Sequence, residues 1–406
     1  MPGLLIRNLA QLASPAGREA PLRGSALGAV DLLEGAWLLC DGERIAAVGS
    51  ERNLRAGDVP PDVVELDGRG LCAIPGLVDC HTHPAFGGDR VEEFSLRAAG
   101  AGYEELHAAG GGILSTVRAT RALGEAALHE RVAVHAGRLL RHGTTTWEGK
   151  SGYGLDRETE LASLRAVRAA GGSPTWLGAH AVPPGYADAG AYVDYALAEV
   201  LPEAARIADA ADVFLERGAF DRELAERYLV ACAAAGLALR LHGDQFTEAG
   251  AIPLAVALGA RSVDHLEATG ADGVAALAAS DVTGVLLPAS ALFLGRSMPP
   301  ARALVDAGAA IALATDFNPG SSFTTSLPLV CSLAATQLRL APAESLAAVT
   351  VNAAHVLGLS ADRGRLAPGY RADVVLLDAP DWRYLAYHLA GDIVAGVVRS
   401  GVRVYG

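Results

Sequence analysis

The sequence predicts an α/β protein: a (β/α)8 TIM-like barrel with a small β-sandwich domain formed from both chain termini. Three observations carry this expectation. The chain has 406 residues, enough for a barrel of about 250 residues plus a smaller unit. From Leu77 to Asp316, eight short apolar runs alternate with longer stretches of helical spacing. The two ends instead carry short apolar runs broken by turn residues.

Taken in order, residues 36–40, 45–48 and 63–66 read as strands, separated by the turn pairs Asp41-Gly42 and Gly57-Asp58. Barrel strands are expected at 77–81, 144–148, 175–180, 212–216, 238–242, 262–266, 283–287 and 311–316. A helix over 156–170 carries Leu161, Leu164 and Val167 on one face, with Asp156 as its N-cap. A second, over 221–235, carries Leu224, Tyr228 and Leu229 and stops at Gly236. Turns and strands return at 364–366, 372–378 and 393–405. The expected division is therefore a β domain from residues 1–70 plus 357–406, flanking a catalytic barrel over 71–356.

Composition narrows the function classes. A net charge of −13 argues against nucleic acid or an anionic membrane as partner. It leaves an acidic small molecule open, because one placed arginine sets the local field. Cys40, Cys72, Cys80, Cys232 and Cys331 show no paired spacing, which fits reduced thiols in a cytoplasmic protein. The first ten residues lack a signal-peptide core. The longest apolar run, near 282–294, is too short to span a bilayer and contains Pro288.

The chemistry is expected at the C-terminal ends of the barrel strands. Strand one ends in His81-Thr82-His83, and residues two apart on a strand share a face. Strands three, five, six and eight end in His180, His242, His265 and Asp316. Five of these six groups are histidines, out of eleven in the chain. The remaining six, His107, His129, His135, His142, His355 and His388, fall in helices or turns and read as solvated. Three neutral imidazoles and one carboxylate suit a single divalent ion with a position left for water. Such an ion acidifies that water toward neutrality, and a further histidine can carry the proton.

The run Pro75-Gly76-Leu77-Val78-Asp79-Cys80-His81-Thr82-His83, followed by His242, His265 and Asp316, resembles the amidohydrolase superfamily. So does the closing Gly364-x-Leu366-x-x-Gly369-x-x-Ala372-Asp373. Finer motifs are similar to one branch of it, whose members open the ring of 4-imidazolone-5-propanoate. They are Phe86-Gly87-Gly88-Asp89-Arg90, Ala109-Gly110-Gly111-Gly112-Ile113, Lys150-Ser151-Gly152-Tyr153-Gly154-Leu155, Gly178-Ala179-His180-Ala181-Val182-Pro183 and Ala314-Thr315-Asp316-Phe317-Asn318-Pro319-Gly320-Ser321.

The resemblance implies metal-dependent hydrolysis of the ring C–N bond to give N-formimino-L-glutamate, a step of histidine degradation. It implies one zinc or iron ion on His81, His83, His242 and Asp316, with His265 and Asp316 as the catalytic pair. It assigns Arg90, Tyr153, His180, Gln245, Asn318, Gly320 and Ser321 to the substrate. It also implies a homodimer.

The residue chemistry runs parallel. Arg90 offers a two-pronged fork for a propanoate, or else an ion pair with Asp89 or Glu92. Tyr153 reads as a ligand-facing hydroxyl or a packing ring, and His180 as a substrate or oxyanion contact or a core histidine. The Asn318–Ser322 stretch reads as backbone N–H donors for an anion or as an ordinary loop. Strand four holds no lysine to bridge two metals, so one ion is expected. Gln245 stands three residues after His242, where deaminases of the superfamily usually place glutamate; it can hydrogen-bond a ring amide but cannot transfer a proton. The rival readings are a mononuclear purine or pyrimidine deaminase and a non-catalytic relative that kept the fold. Metal content and ammonia release separate them.

Overall fold

The computed structural model describes residues 3–55, 57, 59–100 and 111–406. Asp58, His107, Ala109 and Gly110, named above, lie outside the described residues. The chain opens with β1 (Leu4–Pro15), β2 (Val30–Asp41), β3 (Arg44–Ser50), β4 (Val64–Asp67) and β5 (Cys72–Pro75). The barrel strands follow: β6 (Leu77–Asp79), β7 (Thr144–Lys150), β8 (Ser173–Ala179), β9 (Ala210–Leu215), β10 (Ala238–Gly243), β11 (Ser262–His265), β12 (Thr283–Leu286) and β13 (Ile311–Leu313). The last three are β14 (Val374–Leu377), β15 (Val394–Arg399) and β16 (Val402–Tyr405).

The terminal strands form one sheet in the order β16-β15-β14-β5-β1-β2-β3, with β4 beside β1. The chain ends meet where β5 and β14 run antiparallel, Pro75 opposite Val374 and Cys72 opposite Leu377. Leu4, Ile6, Leu38 and Ile45 from one end share a core with Leu366, Val374 and Val398 from the other. That shared core makes the small β-sandwich. Strand β1 was not among the expected strands. Its pairing with β2 shifts register between Ile6 and Leu9, and Asn8 sits at φ 57°, so the bulge breaks the alternation that marks a strand in sequence. The terminal sheet also reaches past residue 70, because β5 belongs to it. The chain leaves it at Gly76, whose N–H donates to Asp373 O at 2.8 Å. A Cβ there would collide with Thr145 and Asp373, so the passage needs glycine.

All eight barrel strands lie where the sequence placed them, in the order β13-β12-β11-β10-β9-β8-β7-β6. The seam between β6 and β13 is tied beyond the strand ends. Thr82 bridges Phe317, Asp316 N–H donates to His81 O at 3.0 Å, and His83 N–H donates to Phe317 O at 2.8 Å. The residues that close the barrel thus include ones expected in the site. Outside it, helix Arg157–Ala169 starts on the Asp156 cap, which accepts from Thr159 N–H at 2.8 Å. Helix Arg222–Ala234 starts on Asp221, which accepts from Leu224 N–H at 2.9 Å. Caps of this kind are worth about 1 kcal/mol each.

One histidine departs from expectation. His135, on helix Ile113–Arg141, is buried rather than solvated. Its Nδ1–H donates to Pro84 O at 2.8 Å and its ring stacks on Phe86 at 4.8 Å. Burial pushes its pKa down to about 4. The five cysteines are free and buried. Among the described residues, no helix is long and apolar enough to cross a membrane.

Candidate metal centre

His81 and His83 follow β6, His242 lies on β10, and Asp316 follows β13, all almost wholly buried. Three imidazole nitrogens face one another. His83 Nε2 is 3.2 Å from His81 Nε2 and 3.4 Å from His242 Nε2. Asp316 Oδ1 lies 3.5 Å from His81 Nε2 and 3.4 Å from His83 Nε2. The nitrogens of His81, His83 and His242 lie within 4.8 Å of one another, and His81, His265 and Asp316 form a second such group, so the expected ligands fall into two triads that share His81.

Two further carboxylates decide what those nitrogens offer. His81 Nδ1 lies 2.6 Å from Asp264 Oδ2, and His242 Nδ1 lies 3.0 Å from Asp212 Oδ1. A proton held at Nδ1 leaves a lone pair on Nε2, turned inward. Burial drives the His242 imidazole down to about 3, although Asp212 opposes it. Burial and Lys150 also oppose charge on His81, but Asp264 and Asp316 outweigh them and raise it to about 9.

The buried charge agrees with a divalent ion. Lys150 Nζ is 2.8 Å from Glu148 Oε1 and 2.7 Å from Asp212 Oδ2, and Arg240 Nη1 is 2.5 Å from the same Glu148 oxygen. Against burial, these carboxylates keep Lys150 protonated. Lys150 and Arg240 supply two positive charges; Glu148, Asp212, Asp264 and Asp316 supply four negative ones. A divalent cation brings this group to neutrality. Three imidazoles and one carboxylate are a donor set that zinc or iron accepts.

His265 ends β11 beside the cluster, its ring 5.7 Å from that of His81 and 5.4 Å from that of His242. Its Nδ1 lies 3.4 Å from Glu267 Oε1. His265 at φ 88° and Asp316 at φ 52° both occupy left-handed backbone, a conformation that costs free energy and recurs at functional sites.

Two further rings pack beside the cluster. His180 stacks on His83 at 5.6 Å, and Tyr153 lies 5.3 Å from His180. His180 Nδ1 is 3.0 Å from Gly152 O, so it is the donor there, and burial holds the ring neutral. Its Nε2 then accepts rather than donates, which suits a substrate N–H better than the oxyanion contact anticipated from sequence. Burial raises the pKa of Tyr153, whose hydroxyl stays protonated.

Arg90 precedes helix Val91–Ala98, and Glu93, not Asp89 or Glu92, takes its fork. Nε is 2.8 Å from Glu93 Oε2 and Nη2 is 2.5 Å from Oε1. Nη1 points at Gly320, where a Cβ would collide with it. Asn318 organises the loop after β13. Its Oδ1 accepts from Gly320 N–H and Ser321 N–H at 2.8 Å, and its Nδ2 donates to Asp316 O at 2.7 Å and Ser321 Oγ at 2.8 Å. Those two backbone donors are engaged within the loop rather than offered to an anion. Ser321 Oγ lies 3.4 Å from Asp316 Oδ2. Gln245 is partly exposed on the loop after β10.

Asp212, Asp264, Glu148, Lys150 and Arg240 were missed as site residues. The signal was period two: Glu148 with Lys150 and Arg240 with His242 share inward faces, and Asp264 pairs in register with His242.

The Amidohydrolase family matches residues 72–404. The imidazolonepropionase of Rubrobacter xylanophilus is 61% identical over 405 residues, covering 98% of this chain and 97% of its own. That of Deinococcus radiodurans is 45% identical, covering 98% and 99%. Among solved structures, E. coli guanine deaminase superposes with a TM-score of 0.75 at 16% identity, covering 100% of this chain and 99% of that one. An adenosine deaminase from Xanthomonas campestris with bound zinc gives 0.72 at 20% identity, covering 98% and 92%. At such identities the structural likeness speaks for the fold alone, whereas the sequence relatives decide the branch: the chain belongs to the imidazolonepropionase family of amidohydrolases.

Proposed function

We propose that the chain hydrolyses the ring C–N bond of 4-imidazolone-5-propanoate, giving N-formimino-L-glutamate. The observation that carries this reading is the convergence of three imidazole Nε2 atoms, with Asp316 close to two of them. His81, His83, His242 and Asp316 would hold one zinc or iron ion. When bound, that ion supplies a Lewis acid and an acidified water for attack on the ring carbonyl.

The chain's own residues do the rest. Asp264 and Asp212 keep the proton on Nδ1 of His81 and His242. His265 and Asp316 border the attacked position and pass the proton to the leaving nitrogen. His180 Nε2 accepts from a ring N–H, the Tyr153 hydroxyl donates, and Gln245 hydrogen-bonds the ring amide. Arg90, steadied by Glu93, presents Nη1 to the propanoate. Asn318, Gly320 and Ser321 shape the wall against which that carboxylate lies. The family resemblance supports a cytoplasmic homodimer as the working form.

The test is direct. Imidazolone propanoate is generated from urocanate with a coupled hydratase, and loss of its ultraviolet absorbance is followed. Turnover that tracks metal content supports the reading. Ammonia release from a purine or pyrimidine, with no turnover of the imidazolone, overturns it.

A further inference from the structure

The opposite end of the barrel holds a second polar cavity, of about 50 Å³. Thr145 and Ser173, near the starts of β7 and β8, line one side. The segment that returns to the terminal sheet lines the other, with Arg363, Arg371, Arg399 and Asp373. Three guanidinium groups and one carboxylate therefore share a small space between barrel and sheet.

The carboxylates nearest Arg363 and Arg371 stand 3.5 Å or more away. Arg371 Nη2 donates to Ser400 Oγ at 2.6 Å, while Nη1 is 3.5 Å from Glu43 and Nε 3.9 Å from Asp373. Arg399 Nη2 reaches Gly171 O at 3.5 Å. Arg363 Nε is 3.9 Å from Asp362, too far for a hydrogen bond. Asp362 already lies 2.9 Å from Arg44. Arg363 Nε is shut off from solvent with no hydrogen-bond partner among the described residues. Asp373 accepts from Ser400 N–H at 2.8 Å. The lining carries a net charge of two positive units if Asp373 is ionised, in a chain of net charge −13.

Half-buried, loosely paired guanidinium groups ask for an acceptor-rich anion, since each presents a planar set of donors. A water needs roughly 10–15 Å³ of such space, so the cavity admits a group of several heavy atoms and no large ligand. We propose that it binds a doubly charged tetrahedral oxyanion, free phosphate or the phosphoryl end of a small metabolite, held by Arg363, Arg371 and Arg399. The anion would join the floor of the barrel to the terminal sheet, on the side away from the metal centre.

The experiment uses the metal-loaded, full-length protein. Inorganic phosphate is titrated calorimetrically at ionic strength held constant with chloride. One saturable site per chain is expected. Arg363→Gln and Arg399→Gln should each weaken it at least tenfold, with turnover measured without phosphate unchanged. Glycerol phosphate distinguishes the sources: tenfold weaker binding than phosphate assigns the site to the free ion, tenfold tighter binding to a phosphorylated metabolite. Selenate soaked into crystals should give an anomalous peak among the three arginines. Absence of saturable heat, equal binding by the variants, or selenate at the metal centre alone overturns the proposal. If Arg363→Gln does not fold, Arg399→Gln and the selenate position decide.

Discussion

A histidine that offers Nε2 to a cation must keep its proton on Nδ1, and one short contact does this for His81: Asp264 Oδ2 at 2.6 Å. Asp264→Asn leaves the shape and removes the charge that orients the ring. Metal affinity should fall about 10–100-fold, the usual scale for such supporting carboxylates. Competition against a chelator measures it, and an unchanged affinity would sink the assignment. The imidazoles were legible in sequence because histidine is scarce and stood at strand ends; the carboxylates behind them were not, because acidic residues are common everywhere. Arg90 gives a second case. Its Nη1 lies over Gly320, so Gly320→Ala should push the guanidinium off its position, much as Arg90→Ala removes it. Either change should cost roughly 1.5–3 kcal/mol of binding, the scale of a charge-assisted hydrogen bond. Steady-state kinetics should show it in KM more than in kcat. A drop confined to kcat would mean that Arg90 acts on the reacting atoms and not on the propanoate.

Glu160, from helix Arg157–Ala169, gathers the backbone N–H groups of the turn after β7 that carries Tyr153. Glu160 Oε1 accepts from Gly152 N–H at 3.0 Å, Gly154 N–H at 2.8 Å and Leu155 N–H at 3.0 Å. The same turn supplies Gly152 O to His180, so one buried carboxylate positions both rings. Glu160→Ala strands three enclosed N–H groups. At about 1–3 kcal/mol each, a loss of roughly 3 kcal/mol or more is expected in urea unfolding, with kcat/KM reduced alongside. An unchanged urea midpoint would remove Glu160 from this role. Periodicity revealed the helix and its Asp156 cap, but not this link, since a glutamate at its fourth helical position looks solvated until the turn is seen to fold over it. The same blindness hid His135. Its folded pKa is about 4, pressed down by burial from an ordinary 6.5. The unfolded chain therefore binds more protons between these values, and stability is present above pH 6.5 and lost as pH falls toward 4. The expected loss is about 2–3 kcal/mol. The gap between urea midpoints at pH 7 and pH 4.5 should narrow in His135→Gln, with His242 and His180 keeping part of it; an undiminished difference would place the acid sensitivity elsewhere.

At the scale of the molecule, the metal centre and the barrel seam are one construction. β6 and β13 meet through Thr82–Phe317, His81–Asp316 and His83–Phe317, and the proposed ligands His81, His83 and Asp316 stand on both sides of that join. The eight strands were legible because each is a short apolar run between helices. How the barrel closes was not, because the closing bonds lie in the polar residues past the strand ends. This arrangement sets what metal removal should do. Stripping a divalent ion leaves four carboxylates, those of Glu148, Asp212, Asp264 and Asp316, against Lys150 and Arg240. Part of that excess is answered by a proton on His81, which Asp264 and Asp316 favour. The rest is borne by the seam, where Asp316 and the two histidines no longer share a cation. With free metal a thousandfold above Kd, the ion stabilises the fold by about 4 kcal/mol, so the stripped chain should melt markedly lower. Hydrogen exchange should quicken first at the amides of His83 and Asp316, while those between β9 and β10 hold. One equivalent of zinc or iron per chain should restore both readouts. If the stripped protein melts at the same temperature with the seam amides still protected, the cluster closes the barrel by its hydrogen bonds alone, and the buried charge is balanced by protons rather than by a metal.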